Sequence, residues 1–356
     1  MNLDNLDFIH KHDPQNMLGE INILPTQLEK AWELGKTFPL DGLKSSRHSS
    51  RVVICGMGGS AIGADLLAAY VAPTCPLPVF IHRDYGLPAW VNGPETLVIA
   101  SSHSGNTEET LDSFYTAVAN KCQVVAITTG GKLANVAGEK NIPLWKFDHE
   151  GQPRAAVGYS FGLLLAVFSR LGFFDHPEHE LSKTVETMRS QQKALQVEVD
   201  APHNPAKRLA GQLMGRWVNV FGSGCLAPVS RRWKTQINEI AKAGAGFETL
   251  PEANHNALAG LQNPADTLSR TKTIFLRAAS DNSRNLLRIG LTQNRFMVEG
   301  MDTDIFEAQG ESSLEQMWTT LHFGDYMAFY LAMAYGTDPT PVESLETLKA
   351  AMREKK

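Results

Sequence analysis

The chain is expected to fold as an α/β protein with two domains, each a parallel sheet flanked by helices in a three-layer α-β-α arrangement. Three observations predict this. The run Val52-Val53-Ile54-Cys55 ends in Gly56-Met57-Gly58-Gly59-Ser60 and turns helical at Ala61. The run Leu97-Val98-Ile99-Ala100 ends in Ser101-Ser102-His103-Ser104-Gly105-Asn106-Thr107 and turns helical at Glu108. The same order returns late in the chain, where residues 217–221 lead through Gly222-Ser223-Gly224 to a helix from Val229. Short apolar runs that close in small residues and open a helix are strand–loop–helix units. Buried strands alternating with helices give a parallel sheet covered on both faces.

The elements follow in order. Met17-Leu18, Ile21, Leu24-Pro25 and the run 28–34 read as amphipathic helices ahead of the first strand. Strands are predicted at 52–55, 79–82, 97–101 and 124–128, with helices at 61–70 and 108–119. Glu108 and Glu109 fall in the first turn of the second helix, where acid is favourable against the helix dipole. From Pro153 to about 196 the pattern is helical, first apolar and then charged. Asn204-Pro205 marks a new start, since proline is tolerated at the first helical position. Strands at 217–221 and 273–277, a helix at 229–243 and a short candidate strand at 296–298 come next. A long apolar helix over 312–335 stops at Gly336, with Pro339 and Pro341 beyond it. The division implied is 1–152 for the first domain with its leading helices, 153–203 for a helical connector, and 204–356 for the second domain.

Composition narrows the function. The 356 residues suffice for two domains, and 43% hydrophobic with 20% charged residues is ordinary for a globular protein. A net charge of −5 without a basic block argues against a nucleic-acid partner. The polar, acidic start does not match a signal peptide. The apolar stretch 161–174 is broken by Ser169 and Arg170 and is too short to span a bilayer, so no membrane partner is expected. Cys55, Cys75, Cys122 and Cys225 form no C-x-x-C pair and are expected to be reduced thiols in a cytoplasmic protein. The histidines lack zinc-ligand spacing, so no metal is expected.

The two early loops carry the chemistry. A helix N-terminus leaves backbone N–H groups free to hold an anion. Gly58, Gly59 and Ser60 form one such corner, and Ser102, Ser104 and Thr107 add hydroxyls to the other. Two cradles suggest a small phosphorylated ligand. Other readings compete. The glycines also suit the tight turns that any doubly wound sheet needs, and the hydroxyls suit helix capping. Gly56-x-Gly58-x-x-Ala61, with Asp84 after the next strand, fits a dinucleotide fingerprint too. The loop at 101–107 has no part in dinucleotide binding.

Gly58-Gly59-Ser60, the run from Ser102 to Thr110 and Ile127-Thr128-Thr129-Gly130-Gly131 together resemble the sugar isomerase (SIS) domain. Pro153-Arg154-Ala155-Ala156, Leu250-Pro251-Glu252-Ala253-Asn254-His255-Asn256 and Gly336-Thr337-Asp338-Pro339-Thr340-Pro341 are similar to one branch, the bifunctional phosphoglucose/phosphomannose isomerases. The resemblance covers nearly the whole chain. It implies an aldose–ketose isomerase, free of metal and cofactor, that interconverts glucose 6-phosphate or mannose 6-phosphate with fructose 6-phosphate through an enediolate. It also implies the site. Glu239 is the base, His255 opens the sugar ring, and Arg154 stabilises the enediolate. Gly58, Gly59, Ser60, Ser102, Ser104 and Thr107 hold the phosphate. On pattern alone Glu239 lies off the stripe Trp233, Ile237, Ile240 and Ala241, and reads as a solvated carboxylate. A non-catalytic sugar-phosphate sensor on the same domain is the alternative, and would dispense with Glu239 and His255.

Two further expectations follow from the resemblance. The working unit is a homodimer in which the histidine of one subunit enters the pocket of the other. The apolar helices at 161–174 and 312–335 would supply surface for that contact. One departure stands out: a lysine that some relatives carry in the C-terminal helix aligns with Tyr330, which brings no positive charge.

Overall fold

The structure is a computed structural model that describes residues 3–43, 49–175 and 177–354. Three helices lead the chain: α1 (Leu6–His12), α2 (Met17–Asn22) and α3 (Leu24–Thr37). The first sheet comprises β1 (Arg51–Cys55), β2 (Val79–His82), β3 (Thr96–Ser101), β4 (Gln123–Thr128) and β5 (Leu144–Lys146). Interleaved with them are α4 (Gly58–Val71), α5 (Glu108–Ala119) and α6 (Gly131–Glu139). Then come α7 (Val157–Arg170), α8 (Glu178–Gln192) and α9 (Pro205–Leu213). The second sheet comprises β6 (Trp217–Gly222), β7 (Ala245–Thr249), β8 (Thr271–Arg277) and β9 (Asp302–Glu307). Its helices are α10 (Ala227–Glu239), α11 (Ala265–Ser269) and α12 (Ser283–Val298), and α13 (Ser313–Tyr335) and α14 (Glu343–Glu354) follow.

Both sheets are parallel, in the orders β2-β1-β3-β4-β5 and β7-β6-β8-β9. Every residue of β3 and β4 is buried, which is why these strands show continuous apolar character rather than alternation. The winding direction reverses between β1 and β3, and again between β6 and β8. Ligands of open α/β sheets collect in the crevice outside the strand carboxyl ends at such points. Both early loops open there.

The apolar helices α7 and α13 are the centre of the molecule. Residues 157–168 of α7 and 314–334 of α13 are all buried. α7 packs on α3 and α4, and α13 packs on α8, α9 and α10. Their apolar surface is therefore consumed within one chain, and the expectation that they supply a contact between subunits is corrected. α13 starts with a capping box, in which Ser312 and Glu315 satisfy each other's backbone N–H groups, and stops at Gly336 with φ 66°.

Other expectations shift at the sheet margins. Residues 296–298 are the last turn of α12, not a strand. Phe296 is buried while Met297 and Val298 are exposed, the facing pattern of a helix end. The edge strand lies at β9, where Asp302, Asp304 and Glu307 conceal the strand in sequence. α10 ends at Glu239, short of the predicted 243. Among the described residues no helix is long and apolar enough to cross a membrane.

Candidate active site

The first cradle is assembled from three loops. After β1 the chain turns at Gly58, whose φ of 50° is left-handed, and enters α4 without a side-chain cap. The Ser60 N–H donates to the Met57 carbonyl at 3.1 Å, so the amides that helix geometry leaves to an anion are those of Gly58 and Gly59. Gly59 is packed so closely that a Cβ there would stand 2.3 Å from the Pro153 carbonyl oxygen and 3.2 Å from Arg154 Cα. This glycine allows the Arg154 segment to sit against the cradle. Ser60 is buried, and its Oγ accepts the His103 N–H at 3.2 Å. That bond ties the first loop to the second.

The second loop is locked from within. Ser102 Oγ and Thr107 Oγ1 are 2.9 Å apart, and the Gly105 N–H donates to Ser102 Oγ at 3.2 Å. Gly105 has φ 65°, and a Cβ there would strike the Gly130 carbonyl oxygen. Asn106 Oδ1 accepts the Lys132 N–H at 3.1 Å, which fastens the loop to the start of α6. Of the three predicted phosphate hydroxyls, Ser102 is buried, Thr107 is half-buried and Ser104 is exposed. Thr107 is the N-cap of α5 but its side chain makes no capping bond. Asp84 is exposed after β2 and accepts the Tyr85 N–H at 2.8 Å.

Arg154 lies in a short 3-10 turn, Pro153–Ala155, and is 5% exposed. Its Nη2 donates to the carbonyls of Pro339, at 3.0 Å, and of Thr340. Its Nη1 stands 3.8 Å from Glu239 Oε2. Behind it, Arg232 forms a buried two-pronged pair with Asp325 at 3.1 and 2.8 Å and donates to the Arg154 carbonyl at 2.7 Å. Burial draws the Arg154 guanidinium below its ordinary value, and Glu239 opposes the shift. Arg154 Nε and Thr340 Oγ1 are buried without a hydrogen-bond partner.

Glu239 is the last residue of α10, with its side chain 28% exposed. Lys242 follows in the left-handed region at φ 53° and folds back, so that Nζ donates to the carbonyls of Glu239 at 2.8 Å and Ile240 at 3.3 Å. Lys242 is exposed, and partial desolvation, and next Arg154, push its ammonium down to about 8. Arg154, Glu239, Lys242 and Asp338 thus form a charged cluster beside the cradle. Lys242, the Arg232–Asp325 brace and the 338–340 segment escaped the sequence reading. The terminal motif Gly336-Thr337-Asp338-Pro339-Thr340 was the one available signal for the last of these.

His255 is not joined to that cluster. It ends the turn Glu252–His255 and is exposed, with no hydrogen bond or ion pair to Glu239, Arg154 or the 102–107 loop among the described residues. The turn itself is pinned to α12, where Asn254 Nδ2 donates to Thr292 Oγ1 at 2.8 Å and Arg288 donates to Asn254 Oδ1 at 3.1 Å. Tyr330 is also remote. It is buried, donates to the Leu195 carbonyl at 2.6 Å and lies under the Lys207 ammonium.

At the matching position of the second sheet, a carboxylate fills the turn. Ser223 Oγ donates to Asp281 Oδ2, and the Asn282 N–H donates to Asp281 Oδ1 at 2.7 Å. A Cβ at Gly224, whose φ is 52°, would lie 2.6 Å from that carboxylate.

Two parallel sheets with a hydroxyl-lined cradle at one switch point define a protein of the SIS phosphosugar-isomerase class. Solved structures agree on the fold. A tagatose-6-phosphate ketose/aldose isomerase from Escherichia coli superposes with a TM-score of 0.67 at 16% identity, covering 91% of this chain and 94% of that one. A glucose-6-phosphate isomerase like protein from Thermus thermophilus gives 0.63 at 20% identity, covering 98% of each. Residues 202–352 match the family described as bacterial phospho-glucose isomerase C-terminal SIS domain. The bifunctional phosphoglucose/phosphomannose isomerase of Caldicellulosiruptor bescii is 38% identical over 95% of this chain and 99% of its own length. That of Thermoplasma acidophilum is 34% identical over 87% and 92%. The chain belongs to the bifunctional phosphoglucose/phosphomannose isomerase family.

Proposed function

We propose that the protein interconverts glucose 6-phosphate and mannose 6-phosphate with fructose 6-phosphate, with no metal in the reaction. The observation that carries this reading is that Glu239 stands 3.8 Å from Arg154, whose own segment is packed against Gly59. A base, a cation and an anion holder within one crevice are what an enediolate route needs. The amides of Gly58 and Gly59 and the hydroxyls of Ser60 and Ser104 hold the phosphate. Ser102 and Thr107 brace that loop and complete its polar lining. Glu239 takes the proton from C2 of the open-chain aldose. The C–H pair becomes the C1–C2 double bond, and the carbonyl electrons move to O1. Arg154 offsets that charge. The proton on O2 passes to O1, the C1–C2 pair takes the proton back from Glu239 at C1, and C2–O2 becomes the ketone, so that O1 ends as a hydroxyl and the carboxylate is restored.

His255 serves ring opening, giving a proton to the ring oxygen as the anomeric hydroxyl loses one. Within one chain it is exposed and unattached, which supports a homodimer in which it completes the site of the second copy. α14 supports the same reading, since it buries no residue and exposes Leu345, Leu348 and Met352. The four cysteines are free, in keeping with a cytoplasmic protein.

A coupled assay for fructose 6-phosphate, fed with each aldose in turn and run in EDTA, tests the reaction. Both aldoses should be converted. Conversion of neither, or activity that returns only on adding zinc, overturns the reading. Complementation tests the shared site. Glu239→Gln and His255→Asn homodimers should each be inactive. Refolding their mixture should restore roughly a quarter of wild-type activity, because about half the dimers are mixed and each has one intact site under two-fold geometry. A mixture that stays dead while refolded wild type recovers overturns the sharing.

A further inference from the structure

Three titratable residues from separate stretches of chain meet beside the cradle, and no step above uses them. Glu20 lies on α2, His149 follows β5, and His103 sits inside the 102–107 loop. His103 Nε2 and His149 Nδ1 are 2.9 Å apart, and His149 Nε2 is 2.9 Å from Glu20 Oε2. The His149 side chain is 6% exposed. Aromatic rings wall the pair: His103 meets Phe147 edge-on, and His149 is tilted against Tyr159.

The carboxylate fixes the tautomers. Glu20 accepts, so His149 Nε2 carries a hydrogen. In a neutral pair, His149 Nδ1 is then the acceptor and His103 Nε2 the donor. His103 Nδ1 is left with its lone pair, on the ring edge nearest its own main chain. That main chain is where the cradle's loops are tied together. Its N–H donates to Ser60 Oγ at 3.2 Å. Its carbonyl accepts the Thr129 N–H at 3.0 Å, Thr129 Oγ1 at 2.8 Å and Thr128 Oγ1 at 3.3 Å. One residue thus connects the first turn of α4, the loop after β4 and, through its ring, α2.

We propose that Glu20, His149 and His103 form a positioning relay for the cradle, which holds the 102–107 loop in its binding form and takes up a proton when a phosphate dianion enters. The relay rests on the phosphosugar reading. Burial, and next His149, hold His103 down to about 4, so the ring is neutral in the empty site. A dianion at the loop opposes both effects. The groups facing the pair are Glu20 from α2, Asp148 on the segment after β5, and Tyr159 from α7, whose phenol burial keeps protonated. On His103's own segment the nearest acids are Glu108 and Glu109.

The test is the pH dependence of KM for fructose 6-phosphate, measured on the full chain and on Glu20→Gln, His149→Phe and His103→Phe. In the wild type KM should rise between about pH 6 and 8, as the proton becomes harder to acquire. The variants should lose that slope. At pH 6 the KM of the two ring variants should be about fivefold higher, the loss of one ordinary hydrogen bond, with kcat within twofold, whereas Glu20→Gln, which loses only the charge, should flatten the slope with a smaller rise in KM. Glu20→Gln keeps the acceptor at a partly exposed position and is read even if a ring variant does not fold. A merely structural role would lower thermal stability and leave the slope in place, and that outcome overturns the relay while wild-type turnover keeps the phosphosugar reading. A wild type that turns over no hexose 6-phosphate overturns both.

Discussion

Outside the carboxyl ends of β1 and β3, two loops present backbone amides and the exposed hydroxyl of Ser104. Outside the ends of β6 and β8 the corresponding space holds the Asp281 carboxylate, bonded to Ser223 and to the Asn282 N–H. Both turns carry a left-handed glycine, Gly58 in one and Gly224 in the other. The difference lies in a residue far along the chain from the second glycine loop. A carboxylate there takes the Ser223 hydroxyl and sets a negative charge beside Gly224, where an anion would otherwise sit, so the strand–glycine–helix pattern is open in the first half and filled in the second. The second half instead contributes charge, through Glu239 and Lys242 at the end of α10. On the proposed reading, binding falls to the first sheet and chemistry to the second.

The largest expected effect falls on the chemistry side. Glu239→Gln keeps the shape and removes the base, so kcat should fall by roughly 10²–10⁴-fold or more, the usual contribution of a positioned base. Binding of a sugar phosphate, followed by calorimetry, should stay near wild type because the cradle is untouched. Turnover within tenfold of wild type would show that the base lies elsewhere.

Next comes the binding side. Ser104→Ala removes an exposed hydroxyl that makes one backbone contact, with the Asn106 N–H at 3.3 Å. A hydrogen bond to a charged group contributes about 1.5–3 kcal/mol, so KM should rise about tenfold or more with kcat little changed. A collapse of kcat at constant KM would place Ser104 with the chemistry and break the division.

Legibility in the sequence followed the same division. The first cradle was visible because its residues are consecutive: Gly58-Gly59-Ser60 and Ser102 to Thr107 announce themselves by composition. The buried strands β1, β3 and β4 were visible because burial on both faces demands unbroken apolar runs. The edge strands β5, β7 and β9 were not, since half-burial admits Lys146, Glu248 and Asp304. The charged cluster was assembled by folding alone. Arg154 meets Glu239 and the carbonyls of Pro339 and Thr340 only through tertiary packing, and a lysine with positive φ at 242 has no signature in one sequence. Asp281 was invisible for the same reason, its partner Ser223 lying on another strand's loop.

A smaller effect should separate the halves by pH. Lys242, pushed down to about 8, is charged below that value and neutral above it. Loss of its charge removes a cation beside Glu239 and Arg154, so kcat should decline a few-fold through about pH 8, the modest change expected of a partly exposed charge. The rise of KM expected of the His103 relay is a separate effect and should be the same in wild type and in Lys242→Met. Lys242→Met should start at the lower rate and lack the decline. A decline of equal size in that variant would assign it to another group.

The smallest effect is the most pointed test of the two turns. Ser223→Ala removes a serine hydroxyl as Ser104→Ala does, but Ser223 stands where the first turn has Met57, and its hydroxyl already serves Asp281 rather than a ligand. KM for fructose 6-phosphate should therefore stay within twofold of wild type, and calorimetry should count one sugar phosphate per chain. The cost should appear as stability instead. Losing a hydrogen bond to a buried or half-buried carboxylate is worth about 1–3 kcal/mol, which for a chain of this size lowers the melting temperature by a few degrees. Asp281→Ala should do the same and free the Ser223 hydroxyl and the Asn282 N–H. If either variant raised KM as Ser104→Ala does, or if wild type bound two phosphosugars per chain, the second turn would be a working cradle and the division between the halves would fail.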